Sequence, residues 1–217
     1  MRKITLFMTV TAVLASLCGC KRQQPAANEE SASSAEAVMA NILQRKSVRA
    51  YTSDSIPGNV MENLLRAAMA APSGMNVQPW SFVVINDKSR LEEIFGDNMN
   101  MRMFKQAAAI VVLCADTTFC RPPRENPEGE AVTQANRIWR DDMGAVTENL
   151  LLAAEAHGLG ACWTACYPFE ERMAPVKEAL QLPETVVPYS IVPIGYPANE
   201  EQPKDKWDPK RIHYNHW

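Results

Sequence analysis

Histidine is scarce in this chain, three in 217 residues, and His213 and His216 near the end have no partner cluster. Outside the first twenty residues the cysteines are Cys114, Cys120, Cys162 and Cys166. They have neither the CxxC spacing nor the paired histidine of a zinc or dithiol site, so no metal is expected. A Ser-His-Asp or paired-carboxylate constellation is also missing, which leaves side-chain acid–base or nucleophilic catalysis without a candidate. Basic charge is not in excess: 22 Lys and Arg against 25 Asp and Glu give a net charge of −3. Such a balance offers no general attraction to nucleic acid or to anionic lipid. There is no internal repeat, and no apolar run long enough to cross a bilayer comfortably.

The length suits one globular domain, and 47% hydrophobic with 22% charged residues is an ordinary soluble composition. The first twenty residues depart from it. Arg2 and Lys3 precede an apolar run from Ile4 to Leu17, and small residues lead to Cys20, the pattern of an export signal. The ending Leu17-Cys18-Gly19-Cys20 resembles a bacterial lipobox, in which the last Cys is lipidated, with ordinary signal cleavage as the alternative because Cys18 is unusual there. Residues 21–35, rich in Gln, Ala, Asn, Glu and Ser, read as a flexible tether with too little apolar surface to order. The expectation is therefore a signal over 1–20, a tether over 21–35 and a domain over 36–217. The whole would be held at a membrane of a bacterial cell envelope only through a lipid on Cys20.

Within the domain, Ala35 to Arg45 has helical periodicity with Val38, Ile42 and Leu43 on one side. Ser55 to Ala71 reads as a second helix, with Ser55 as cap, Pro57 in the first turn and a stop at Pro72-Ser73-Gly74. Strands are expected over Trp80–Ile85, Ala109–Leu113, Gly160–Ala165 and Val186–Ile194, with two helical stretches between the first two. A long helix is expected from about Val132 to His157, ended by Gly158 and Gly160, and another over Glu170–Leu180. Pro122 to Gly129 reads as a loop able to cover a pocket, and Cys114 as a core residue. Helices and short strands without strict alternation argue for a layered α+β domain with a small sheet. The irregular tail from Pro197, with Trp207, Tyr214 and Trp217, suits packing on a neighbouring subunit.

Two segments bear on chemistry. Arg45-Lys46-Ser47-Val48-Arg49 joins three cations to a hydroxyl just after a helix, which suits either a phosphate clamp or a solvated helix C-terminus. Ala71-Pro72-Ser73-Gly74-Met75-Asn76-Val77-Gln78-Pro79-Trp80 links a helix end to a strand through small polar residues. It can hydrogen-bond the edge of a planar heterocycle, or be no more than a well-made turn.

Together, RKSVR and APSGMNVQPW resemble the FMN-dependent nitroreductase superfamily, which also holds flavin reductases and iodotyrosine deiodinases. The likeness continues through Asp141-Asp142-Met143, ENLLLAAEAHGLGACW and IGYP, and covers nearly all of Val38 to Trp217. It implies a three-layer α/β/α fold with a small mixed, mainly antiparallel sheet, and an interlocked homodimer with FMN at the interface. It places Arg45, Lys46, Ser47 and Arg49 on the FMN phosphate and ribityl chain, joined by Lys204 and Lys206. Lys210 and Arg211 are the rival pair. Pro72, Ser73, Gly74 and Asn76 would reach the flavin of the other subunit, while Asn100 and Asp142 approach the first. One backbone N–H of Ala165, Cys166 or Tyr167 would face flavin N5. The implied activity is ping-pong transfer of reducing equivalents from NAD(P)H to a nitroaromatic, quinone or similar electron-poor acceptor. Other chemistry on the same scaffold, such as reductive dehalogenation, and non-catalytic flavin binding are the alternatives. Since the cofactor would carry the chemistry, missing catalytic side chains fit this reading.

Overall fold

A computed structural model describes residues 29–217, so the export signal, Cys20 and the tether up to residue 28 lie outside the described residues. Helix α1 spans Glu29–Gln44 and so begins six residues before the expected Ala35. Its first turns take in part of the segment read as an unordered tether. Glu and Ala are strong helix formers, and polarity that prevents a core does not prevent a helix.

From Ala37 onward the chain is one compact body built around a five-stranded sheet. Its strands are β1 (Trp80–Ile85), β2 (Ala109–Asp116), β5 (Gly160–Ala161), β6 (Thr164–Ala165) and β7 (Val186–Gly195). The order is β1-β2-β7-β5, with β6 also on β7, and every ladder is antiparallel. The parallel element is a single bridge, Ser47 to Ala161. β2 is the central strand because its residues are apolar on both faces, as a doubly covered strand requires. Ile110, Val112 and Cys114 face a core made with α3 (Leu91–Phe95), α4 (Met101–Gln106) and α6 (Glu170–Ala179). Val111, Leu113 and Ala115 face the opposite core, made with α2 (Gly58–Met69) and α5 (Trp139–Ala156). This is the three-layer α/β/α arrangement. Each fully buried Val, Leu or Ile here contributes roughly 1.5–3 kcal/mol.

Several boundaries differ from expectation. α5 begins at Trp139, not near Val132, because Val132–Ala135 forms β4 and pairs with β3 (Thr118–Arg121) in a separate hairpin. Val132 and Thr133 are β-branched, and the Asn136 side chain accepts from the Ile138 N–H at 3.2 Å, which turns the chain into the helix. Pro57 is the N-cap of α2 rather than a first-turn residue, and Ser55 caps nothing. The expected strand Gly160–Ala165 is broken in two, with Cys162 and Trp163 between β5 and β6. The second strand runs three residues past Leu113, to Asp116. Cys114 is buried as expected. Among the described residues no helix is long and apolar enough to cross a membrane.

Candidate functional site

After α1 the chain from Arg45 to Arg49 is irregular apart from one bridge, Ser47 to Ala161. Val48 points inward: it is 2% exposed, and its N–H donates to the Ala161 carbonyl at 3.0 Å. That approach requires glycine at 160, where an added Cβ would stand 2.5 Å from the Val48 Cβ. Arg45, Ser47 and Arg49 all act on the buried Cys162 thiol. Burial pushes that thiol up, and Arg49, a hydrogen bond with Ser47, and Arg45 each pull it back down. Three of the four residues expected to clamp a phosphate thus act on the same thiol, although Arg45 and Arg49 line separate cavities. Lys46 is the exception. Its Nζ is 3.4 Å from Glu155 Oε1 on α5, and it lines a different hollow with Glu200 and Glu201.

Arg45 Nε is 3.0 Å from Glu148 Oε1, and Arg45 lines a cavity of about 580 Å³ with Lys204, Lys206 and Trp207. Lys210 and Arg211 do not line it, and Arg211 pairs with Asp208 at 3.2 Å. Of the two basic pairs in the tail, the structure therefore brings Lys204 and Lys206 to Arg45. Arg49 donates to the Ser47 carbonyl at 3.3 Å and shares a smaller cavity, about 240 Å³, with Asn100 and Arg102.

The turn after α2 is held partly by side chains. Ser73 Oγ accepts from the Gln78 N–H at 3.0 Å, and Asp142 Oδ1 accepts from the Gly74 N–H at 2.8 Å. Met75, Asn76 and Gln78 have φ of 54°, 54° and 53°, a region costly for residues with a Cβ. Pro72 and Asn76 are exposed on the same turn. Gly74 and Asp142, expected at different flavins, are in contact within one chain, because α5 packs beside α2 and presents its first turn to the loop. Asp142 is 5% exposed and its Oδ2 has no partner, and Asn136, 4% exposed, has an unpartnered Nδ2. Buried polar atoms are seldom left so.

Along the broken strand, the N–H groups of Cys166 and Tyr167 both donate to the Tyr189 carbonyl, at 3.1 and 3.0 Å. Ala165 is the exposed member of the three, and its carbonyl accepts from Arg172 at 2.9 Å. Burial pushes the Cys166 thiol up to about 12. Beside this segment stands an aromatic cluster that the sequence reading did not single out. Trp139 meets Tyr167 edge to face at 5.0 Å, Tyr167 stacks on Tyr189 at 6.3 Å, and Trp163 lies 5.9 Å from Tyr189. Arg140 donates from Nε to the Tyr167 hydroxyl at 2.7 Å, with its guanidinium 4.6 Å over the Trp139 ring. The adjacency Trp139-Arg140 at a helix start was the only signal, and it was hidden inside a helix expected to begin earlier.

The chain matches the nitroreductase family over residues 42–196. It is 37% identical over 179 residues to an Archaeoglobus fulgidus protein named "Putative NADH dehydrogenase/NAD(P)H nitroreductase", covering 81% of this chain and 96% of that one. The crystal structure of a protein of the same name from Bacteroides thetaiotaomicron superposes with a TM-score of 0.73 at 40% identity, over 83% of this chain and 98% of that chain. An NADPH:FMN oxidoreductase from Vibrio harveyi, solved in complex with NAD+, gives a TM-score of 0.69 at 26% identity, over 83% and 77%.

Proposed function

The chain belongs to the nitroreductase family, and from that premise we propose an FMN-dependent oxidoreductase. In it, reducing equivalents pass in a ping-pong sequence from NAD(P)H to a nitroaromatic, quinone or similar electron-poor acceptor. The observation that carries this reading is the cavity that Arg45 lines with Lys204 and Lys206, with Ser47 and Arg49 close behind Arg45 in the chain. Cations and a hydroxyl in that grouping suit a dianionic phosphate.

The fit of FMN is supported again at the Gly74 turn. A heterocycle edge that donates would meet the acceptor left over on Asp142, beside the Gly74 N–H. FMN, when bound, supplies the two-electron redox chemistry that no side-chain constellation here offers. Arg45, Ser47, Arg49, Lys204 and Lys206 would hold the phosphate end, with Asn100 beside Arg49 along the polyol. Ala165 is the member of the 165–167 trio left to face the ring, since the amides of Cys166 and Tyr167 are committed to Tyr189.

The reading includes a homodimer whose partner receives Pro72, Ser73 and Asn76. Val38, Met39, Ile42 and Leu43 on α1 are 46–66% exposed, and Trp207, Tyr214 and Trp217 of the tail are more exposed still. An apolar face of that kind is normally covered. It also includes export and a lipid on Cys20, resting on the Ile4–Leu17 run and the residues that follow it. Mass spectrometry of the mature N-terminus tests that part by itself.

The decisive test of the function is a visible absorbance spectrum of the purified protein, followed by anaerobic titration with NADH and then NADPH. A flavin spectrum bleached by either donor is expected. A colourless protein that FMN does not restore would sink the proposal.

A further inference from the structure

The hairpin β3–β4 encloses, with the Gly74 turn, a cavity of about 370 Å³ that the reaction scheme above leaves without a role. Its wall carries three guanidinium groups, Arg121, Arg124 and Arg137. Among the described residues no carboxylate lies within ion-pair distance of any of them. Glu125 shares the wall but pairs with none of them. Asn136 lines the same cavity, and it is the side chain, 4% exposed, whose Nδ2 has no acceptor. Three cations and an unused buried donor face one space.

Two of the arginines are held in place. Arg121 donates to the Met75 carbonyl at 3.1 Å and lies 4.9 Å over the Phe119 ring, and Arg124 reaches the Met75 sulfur at 3.2 Å. Met75 follows Gly74, whose N–H is fixed by Asp142, so the cavity adjoins the turn proposed to meet the cofactor. Met75 and Ile138 belong to both, and a Cβ on Gly74 would collide with Ile138.

We propose that this cavity is an anion subsite, where Arg121, Arg124, Arg137 and the Asn136 amide hold a carboxylate or phosphate group of the reacting molecule. The inference rests on the oxidoreductase reading. It adds that the enzyme prefers an oxyanion-bearing substrate to a neutral one of the same shape. Forked guanidinium donors bind both oxyanion types bidentately, and a donor left unpaired in the free protein gains a partner on binding. The oxyanion could belong to an acidic acceptor or to the phosphates of the nicotinamide donor, and the shared chemistry is the same.

The test uses FMN-loaded protein and the variant Arg124→Gln/Arg137→Gln, which leaves the Arg121–Met75 contact in place. FMN content is read by absorbance. Turnover is measured with nitrobenzene and 4-nitrobenzoate as acceptors and with NADH and NADPH as donors, and binding of benzoate and inorganic pyrophosphate by calorimetry. The expected result is at least about a tenfold rise in KM for 4-nitrobenzoate, or in the Kd of pyrophosphate together with the KM of NADPH, equivalent to ~1.4 kcal/mol. Nitrobenzene should change by less than about threefold, since it presents no oxyanion to a charge-based contact. The first pattern assigns the subsite to the acceptor and the second to the donor. Equal losses for charged and neutral substrates, or no change in any, overturn the proposal. If the wild type holds no flavin, the oxidoreductase reading has failed, and calorimetry still decides the subsite: equal pyrophosphate and benzoate affinities in wild type and variant overturn it.

Discussion

Strand β2 is buried along seven of its eight residues, and its backbone is paired on both sides, to β1 and to β7. The turn from Pro72 to Gln78 contains three residues with a left-handed backbone, is held by side chains reaching in from α5 and from the β3–β4 hairpin, and leans on a carboxylate with an oxygen left over. In the strand, local preference, pattern and packing agree. In the turn they do not, and the surrounding helices impose the conformation. Disagreement of this kind marks the places where a chain does something besides fold. Substitutions in the two regions should therefore fail differently: the core should lose stability and keep its binding preferences, and the turn should lose binding out of proportion to stability.

The largest effect belongs to the core. Phe104 is 1% exposed and packs on Phe95 with ring centroids 4.9 Å apart. Phe104→Ala should cost about 3–5 kcal/mol by denaturant unfolding, from lost transfer energy plus the cavity. The protein that remains folded should bind FMN with unchanged affinity. A fall in FMN affinity in that folded fraction would erase the distinction drawn between the regions.

Asp142→Ala probes the turn. Leaving the Gly74 N–H without its acceptor should cost about 1–3 kcal/mol in stability. FMN affinity should fall by at least about tenfold, or ~1.4 kcal/mol, measured by fluorescence titration. An Asp142→Ala protein that is destabilised but binds FMN normally would place the cofactor away from this turn.

Much of this contrast was legible in the residues, and unevenly. β1 and β7 were found to within a residue because their apolar, β-branched runs have turn residues on either side. The hairpin β3–β4 was not, since Val132–Ala135 is four residues long and half-polar, and its pairing partner lies across a proline-rich loop. The same blind spot hid the arginine cavity, because Arg121 and Arg137 meet only once the hairpin closes. For the clamp, residue types were visible but their directions were not. Lys46 turns to Glu155 while Arg45 pairs with Glu148, and nothing in RKSVR foretells that split.

A smaller effect comes from the thiol on β2. Burial pushes Cys114 up to about 12, with Cys166 adding to the rise. In the unfolded chain the thiol ionises near its ordinary value, so above about pH 8.5 the unfolded state binds fewer protons than the folded one. Stability is then intact below that pH and declines as pH rises toward about 12, by on the order of 1.4 kcal/mol per unit for one thiol. Cys114→Ala should flatten that slope in unfolding measured between pH 8 and 10. An unchanged slope would mean that this part of the core admits water.

The smallest effect separates imposed strain from strain that serves nothing. Gln181, like Met75, has a left-handed backbone, with φ of 51°, but it lies just past the end of α6. Its N–H donates to the Glu178 carbonyl and that of Leu182 to the Lys177 carbonyl, both at 3.0 Å, the pattern that glycine normally completes at a helix C-terminus. No clamp residue, cavity wall or orphaned atom is involved, so Gln181→Gly should stabilise the protein by about 1 kcal/mol, the Cβ penalty removed. Met75→Gly removes the same penalty but loosens the backbone and deletes the sulfur that Arg124 touches. Its thermal midpoint should gain less, and its FMN affinity should fall while that of Gln181→Gly does not. If both glycines raise the midpoint equally and leave FMN binding alone, the strain at the turn is incidental.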